Sequence, residues 1–376
     1  MIFEFVISIA TILYCGFTIF LYYNWANIEV FEGGQNANKI FQKITVIIPV
    51  RNEAENLPSL LLDLENQSFK IFEVIIIDDH SEDATLEVVE KIKARSSIEI
   101  KLFPLPSKRK ILSHKKAAIS LAISKAEGEI IVTTDGDCRV GPNWLRHIHD
   151  YFITHKPKFV SSGVTFLPEN NVFEKFQTIE FMSLIGSGAA CMHAGIPNMC
   201  NGANLAYIKE IFHEVNGFEG VEHIPSGDDE FLMHKINEKY PKGVRFLKSN
   251  QTIVSTAAKP DFWSFFQQRK RWGGKWSYYR SKSPKFVALG IFSYHLLFVL
   301  AVLSGFIGLI EINLLLIIFI AKTLVEYAYL HRILNFYKKK DLSFLIPLMS
   351  FIHPFYIVIM AFAGTFGAYH WKGREF

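Results

Sequence analysis

Two short acidic strings have the composition to do chemistry: Asp78-Asp79 and Asp135-Gly136-Asp137. Each closes an apolar run, Phe72 to Ile77 and Glu129 to Thr134, that reads as a strand buried on both faces. Carboxylates one residue apart, with glycine between them to let the backbone bend, present both side chains to a divalent cation that phosphate oxygens also hold. The pattern implies Mg²⁺ or Mn²⁺ and a phosphorylated ligand. Capping of the helix after each strand is the ordinary alternative for such aspartates. No GxGxxG follows the first strand and no Walker loop occurs, which argues against a dinucleotide cofactor or a phosphate-cradling nucleoside triphosphatase. A metal and basic side chains have to hold the phosphates instead.

The elements that position these acids alternate in type. Lys43 to Pro49 reads as a buried strand, and Leu57, Leu60, Leu61 and Leu64 then recur at helical spacing after Asn56. Phe72 to Ile77 is the next strand, followed by a helix over Asp83 to Ala94 with Ser81 as its cap and a strand over Ile98 to Leu102. His114 to Ala126 reads as a helix with Ala117, Ala118, Leu121 and Ala122 inward, and Gly128 resets the chain for the strand Glu129 to Thr134. This predicts an α/β fold, a doubly wound parallel sheet with right-handed crossovers that binds ligands at the carboxyl ends of its strands.

Taken as a whole, the chain is too apolar for an ordinary soluble protein. Of 376 residues, 50% are hydrophobic and 14% aromatic, and the mean hydropathy is +0.19. That excludes disorder, collagen-like repeats and a disulfide mini-protein. A net charge of +4 leaves no global footprint for nucleic acid, and no such partner is expected. Cys15, Cys138, Cys191 and Cys200 lack CxxC spacing, and the lone His193 and His213 lack metal-ligand spacing, so no zinc site is expected.

Phe5 to Ile28 and Phe286 to Ile310 carry no Asp, Glu, Lys or Arg, and each is long enough to cross a hydrocarbon core of about 30 Å. The first reads as a retained anchor, because no basic residue precedes it and no small-x-small cleavage site follows. A third span, Ile312 to Leu330, holds Lys322 and Glu326 four residues apart, where a mutual ion pair lowers the burial penalty. The fourth, Leu342 to Trp371, contains His353-Pro354, which marks a kink. Basic residues from Arg269 to Lys285, and His331, Arg332, Lys338, Lys339 and Lys340, flank these spans. By the positive-inside rule they put residues 39–285 in the cytosol and make the chain a multi-pass protein of the cytoplasmic membrane.

Five strings then occur in a familiar order: Val46-Ile47-Ile48-Pro49 with Arg51-Asn52-Glu53-Ala54-Glu55, Asp78 to Asp83, Asp135-Gly136-Asp137, Asp228-Asp229-Glu230-Phe231-Leu232, and Gln268-Arg269-Lys270-Arg271-Trp272. Over Ile44 to about Lys275 the chain resembles the inverting family 2 glycosyltransferases, and its last motif is similar to the membrane-associated branch with cellulose and hyaluronan synthases. The resemblance implies a GT-A domain over 39–260, to which the apolar runs add an N-terminal anchor over 1–30 and membrane helices over 286–371, and the aromatic and basic residues an amphipathic interfacial segment over 261–285. It also implies a nucleotide-sugar donor, with UDP or GDP, and a lipid-linked or saccharide acceptor.

Residue by residue, the resemblance implies that Glu53 and Asp79, with Asp78, lie against the base and ribose, and that Asp135 and Asp137 are the metal-holding DxD pair, with Gly136 where Ala is common. Asp229 corresponds to the base that deprotonates the acceptor, although Asp228-Asp229 stands where Glu-Asp is usual and the assignment can slip to Asp228. Gln268, Arg271 and Trp272 match a QxxRW element, in which an indole stacks on sugar and a guanidinium binds diphosphate. Phe262, Trp263, Phe265, Phe266 and Trp276 with neighbouring basic residues also describe a helix lying on the anionic leaflet. Lys115 and Lys116 stand near the family's Gly-Lys but read as surface lysines. Asn201-Gly202-Ala203-Asn204, after the Gly-rich Ile185 to Ala190, is either an acceptor contact or a tight turn. A single-sugar transferase is the leading function. A processive polysaccharide synthase and a non-catalytic scaffold retaining the fold are the rivals.

Overall fold

A computed structural model describes residues 1–34, 42–106, 113–274, 282–365, 370–371 and 374–375. Lys275, Trp276 and Arg280 of the basic stretch, and the domain boundary at Lys39, lie outside the described residues. In chain order the elements are α1 (Ile2–Asn27), β1 (Ile44–Val50), α2 (Leu57–Glu65), β2 (Phe72–Asp78), α3 (Thr85–Lys93), β3 (Glu99–Pro104), α4 (His114–Lys125), β4 (Ile130–Thr133), α5 (Trp144–His155), β5 (Phe159–Ser162) and β6 (Val164–Phe166). They continue with α6 (Val172–His193), β7 (Leu205–Ile208), α7 (Lys209–Glu214), α8 (Asp228–Lys239), β8 (Val244–Leu247), β9 (Val254–Thr256), α9 (Phe262–Gly273), α10 (Lys282–Phe306), α11 (Ile312–Phe336) and α12 (Ile346–Thr365). The chain divides into two units, one of Ile28–Pro168 with Met192–Ala258, the other of Met1–Asn27, Glu169–Cys191 and Lys259–Phe376.

The first unit holds a sheet in the order β3-β2-β1-β4-β7-β5-β8. Pairings β1/β2, β2/β3, β1/β4 and β5/β8 are parallel, while β7 runs antiparallel to both β4 and β5. The mostly parallel sheet expected from the apolar runs is present, and β7 is the one inversion. Val46, Ile47, Ile48, Ile75, Ile76, Ile77, Ile131 and Val132 are wholly buried. Each such side chain contributes about 1.5–3 kcal/mol, so the centre of the sheet, rather than its charged tips, holds the unit together.

Two local expectations shift. Ser81 is not the cap of α3; the Asp83 carboxylate accepts from the Thr85 amide at 3.0 Å instead. On α4 the buried positions are Lys116, Ala118, Ile119, Ala122 and Ile123, whereas Ala117 and Leu121 are only half-buried. Alanine is tolerated on any face, so the alanine spacing misphased the helix, and the isoleucines set the true inward stripe.

In the second unit α1, the stretch Lys285–Phe306 of α10, α11 and the stretch Lys340–Ala363 containing α12 are long and apolar enough to cross a membrane. The expected Lys322–Glu326 pair is present, with the Lys322 ammonium 2.7 Å from both carboxylate oxygens. Tyr14 and Ser350 hydroxyls donate to the same carboxylate at 2.5 Å, so α1, α11 and α12 meet around one buried ion pair. Helix α12 continues through Pro354. The Gly-rich Ile185 to Ala190 lies within α6. A Cβ on Gly186 would stand 2.3 Å from Cδ1 of Ile333, so glycine is what lets α6 approach α11.

Candidate active site

Parallel register brings the ends of β1, β2 and β4 to one edge, with Val50 opposite Asp78 and Ile47 opposite Thr133. Because β7 is inverted, its start lies at the same edge, Leu205 opposite Thr133. Four stretches distant in sequence thus meet there: residues 51–53, 78–80, 134–137 and 201–204.

At the tip of β4 the Lys115 ammonium donates to the Asp135 carboxylate at 2.7 Å and lies 3.5 Å from Asp228. Asp228 and Asp229 open α8 after Gly227, whose φ of +79° is the left-handed turn that glycine makes without a Cβ clash. Asp229 accepts from the Gly202 amide at 3.0 Å and from the Glu230 amide at 2.8 Å. The Gly202 carbonyl in turn accepts from the Thr133 hydroxyl at 3.3 Å. A Cβ on Gly202 would lie 3.2 Å from the Lys115 nitrogen, 3.3 Å from Asp228 and 3.6 Å from Asp229. One point therefore has Lys115, Asp228, Asp229 and a backbone amide around it, with Asp135 bonded to Lys115. Burial would push the Lys115 ammonium down, but Asp135 and Asp228 beside it outweigh burial and hold it above its ordinary pKa. Burial raises the Asp228 carboxyl; Lys115 opposes the rise, while Asp229 and Asp135 add to it.

Asp137 is exposed, and Asp135 is partly so. Their hard carboxylate oxygens are the donor set that Mg²⁺ or Mn²⁺ takes, and the Lys115 ammonium already marks a cation position against Asp135. The residues fit such an ion. Cys138 beside them is no competing nucleophile: burial pushes its thiol well up, with the charges of Asp135 and Asp137 adding to the effect.

Glu53 is buried and packs on Gly136, where a Cβ would come within 3.1 Å of the Glu53 Cγ and 3.3 Å of Val50. Asn56 donates to the Glu53 carboxylate at 2.9 Å, and Arg51 reaches the carbonyls of Asp79 and His80, both at 2.9 Å. Asp78 accepts from the Ser81 amide at 3.2 Å, which closes its own turn. Asp79 is within 2.7 Å of the His114 ring and 3.3 Å of His80.

Gln268, Arg271 and Trp272 lie on α9, in the other unit. There Arg269, an unremarked neighbour in the motif, is the buried cation. Its guanidinium forks onto Glu180 of α6, with Nε 3.1 Å from Oε1 and Nη2 2.5 Å from Oε2, and stacks 4.3 Å from the Trp272 ring. It also donates to the Gln268 side chain. Phe262 and Trp263 on the same helix are about two-thirds exposed, at 64% and 65%.

One functional reading of the sequence needs revision, and the turn reading of residues 201–204 is met by a turn at Gly202–Ala203. Lys115 is not a plain surface lysine but the cation between the acids. A signal existed: Lys115 and Lys116 put positive charge on the first turn of α4, against the helix dipole, so an acidic partner was called for. Asn204 is a structural pin, donating to the Gly163 and Thr252 carbonyls at 2.8 and 2.7 Å and accepting from the Trp144 indole.

Residues 45–215 match the family model Glycosyl transferase family 2. Among curated proteins, 108 residues are 35% identical to cholesterol galactosyltransferase of Borreliella burgdorferi, covering 29% of this chain and 28% of that protein. Over 216 residues the chain is 27% identical to dolichol-phosphate mannosyltransferase of Pyrococcus furiosus, covering 54% of each. The chain thus spans less than two thirds of the length of either relative. Among solved structures, a mannosyltransferase of Pyrobaculum calidifontis, in complex with GDP-Man and Mn²⁺, superposes with a TM-score of 0.61 over 93% of this chain and 99% of that one. At 16% identity this is a likeness of fold.

Proposed function

The chain carries a glycosyl transferase family 2 domain, residues 45–215, on a mostly parallel GT-A sheet, and from that premise we propose that it transfers a sugar, with inversion, from a nucleoside diphosphate sugar to a lipid-linked or saccharide acceptor at the cytoplasmic face of a membrane. The observation that carries this reading is the meeting of Lys115, Asp228 and Asp229 around Gly202, with Asp135 held by Lys115. The acceptor side is supported by four membrane-capable helices among the described residues and by relatives named for sterol and dolichol-phosphate substrates.

Asp229 is the base. Its carboxylate takes the proton of the acceptor hydroxyl as that oxygen attacks the sugar C1; the bond from C1 to the phosphate oxygen breaks on the opposite face, and the nucleoside diphosphate leaves with the electron pair. The Gly202 and Glu230 amides orient the Asp229 carboxylate. Lys115 offsets negative charge between the acids and the diphosphate. Asp135 and Asp137 would hold Mg²⁺ or Mn²⁺, which supplies Lewis-acid stabilisation of the departing diphosphate when bound. Glu53, Asp78 and Asp79 form the nucleoside end. Gln268, Arg271 and Trp272 serve the acceptor and diphosphate, on the interfacial segment (261–285) that follows the transfer domain (39–260) in the chain and precedes the last helices (286–371).

The test is a donor screen on membranes containing the protein, with UDP- and GDP-sugars and Mn²⁺ or Mg²⁺, reading released nucleoside diphosphate. Release with one donor that Asp229→Asn abolishes supports the reading. No release with any donor, in wild type or variant, overturns it in favour of a non-catalytic role.

A further inference from the structure

Lys116 is 2% exposed, on the inward face of α4. Burying an ammonium costs several kcal/mol unless its protons are taken up. Here they go to three backbone carbonyls within six residues: Val221 at 3.0 Å, Ile224 at 2.6 Å and Ser226 at 2.8 Å. The ammonium also sits 5.2 Å from the ring of Phe231, in the first turn of α8. The gathered stretch ends at Gly227, whose left-handed turn opens α8 on Asp228 and Asp229. The adjacent Lys115 reaches Asp135 and Asp228 themselves. An apolar side chain would fill the same space without desolvating a charge, but it would take the ammonium's hydrogen bonds from the Ile224 and Ser226 carbonyls, while Val221 would keep the Ile224 amide at 3.2 Å.

We propose that Lys116 is a positioning residue for the transfer reaction: it gathers residues 221–226 so that the Gly227 turn delivers Asp229 to the Gly202 amide and Asp228 to Lys115. Two neighbouring lysines on one helical turn thereby divide the work, one facing the carboxylates and the other the loop that carries them. This inference rests on Asp229 being the base. It predicts that loss of Lys116 releases the loop and retracts the base while the nucleotide end of the site, built on β1, β2 and β4, stays in place.

The experiment uses the full-length protein in detergent, wild type against Lys116→Met and Lys116→Arg. Hydrogen–deuterium exchange without any ligand is expected to quicken by about tenfold in residues 221–231 of Lys116→Met, and not in β1 or β4. Calorimetry with UDP or GDP and Mn²⁺ is expected to give a Kd within about threefold of wild type, while nucleoside diphosphate release falls by about a hundredfold and Lys116→Arg recovers part of it. Unchanged exchange in 221–231, or a uniform rise across the sheet, overturns the proposal. So does a loosened loop with unimpaired turnover, which leaves Lys116 a local brace only. If wild type itself turns over no donor, the transfer reading fails, and the exchange result alone decides whether Lys116 holds the loop.

Discussion

The Lys115 ammonium stands 2.7 Å from the Asp135 carboxylate, with Asp228 at 3.5 Å on its other side. A charge-assisted hydrogen bond of the same kind from Lys115 to a diphosphate oxygen would contribute about 1.5–3 kcal/mol to binding. Lys115→Met is therefore expected to weaken nucleoside diphosphate binding by about 10- to 100-fold in the presence of Mn²⁺. Mn²⁺ alone should bind at least as tightly as in wild type, because no ammonium then competes for Asp135. Calorimetry of metal and nucleotide in turn checks both; weaker binding of Mn²⁺ alone would contradict the competition.

Asp137 and Asp229 should separate cleanly. Asp137→Asn is expected to lose metal-dependent donor binding, whereas Asp229→Asn keeps donor affinity and loses about 10²–10⁴ in turnover, the usual worth of a general base. Equal donor affinity for wild type and Asp137→Asn in calorimetry with Mn²⁺ would remove Asp137 from the metal site.

Gly136 faces Glu53, and a methyl placed there would approach its Cγ to 3.1 Å. Gly136→Ala should cost about 1 kcal/mol of stability through displacement of Glu53 and raise the donor KM a few-fold with kcat little changed. Steady-state kinetics on the donor that the screen identifies reads it; a fall in kcat with KM constant would mean that Glu53 does not serve the nucleoside end.

Far from this edge of the sheet, at its other end, Lys101 and Lys43 meet Glu73, Glu99 and Glu127. The Lys101 hydrogen bond, with that of Lys43 second, holds the Glu127 carboxyl down to about 2. A carboxyl lowered on folding stabilises fully above its unfolded pKa, about 4.3, and ceases to do so as pH falls through the folded value. The stability gap between wild type and Lys101→Met should accordingly be constant above about pH 5 and narrow toward pH 2. Unfolding midpoints across that range decide it, and a gap that widens in acid would refute the assignment.

Arg269 and Glu180 are both buried. Breaking such a pair from one side costs about 3–5 kcal/mol, whereas replacing both partners by apolar groups is often close to neutral. Arg269→Met alone should lower the unfolding temperature in detergent far more than Arg269→Met with Glu180→Leu. An equal loss in single and double variants would show that the guanidinium contributes through stacking on Trp272 rather than through the ion pair.

Legibility in the sequence followed the range of each interaction. Strands β1, β2 and β4 could be read because burial on both faces demands an unbroken apolar run, and the acids that end them follow directly in the chain. The membrane-capable helices could be read for the same reason, as could the Lys322–Glu326 pair four residues apart. Asp135 and Asp137 stand out in the sequence as a motif, and the proposed role of Asp229 comes from resemblance.

Hydropathy carries no information about which distant segments meet. The inversion of β7, which carries Gly202 to the tip of β4, and the approach of Asp228 to Lys115 depend on contacts between segments from about 70 to over 100 residues apart, and only packing of the whole sheet selects them. Lys116 shows the limit most plainly: its partners are backbone carbonyls, identical at every position of any sequence, so nothing in residues 221–226 announces that a buried ammonium must sit among them. The chain's residue types set what chemistry is possible at this edge of the sheet, and the folded backbone decided which of two adjacent lysines faces the acids.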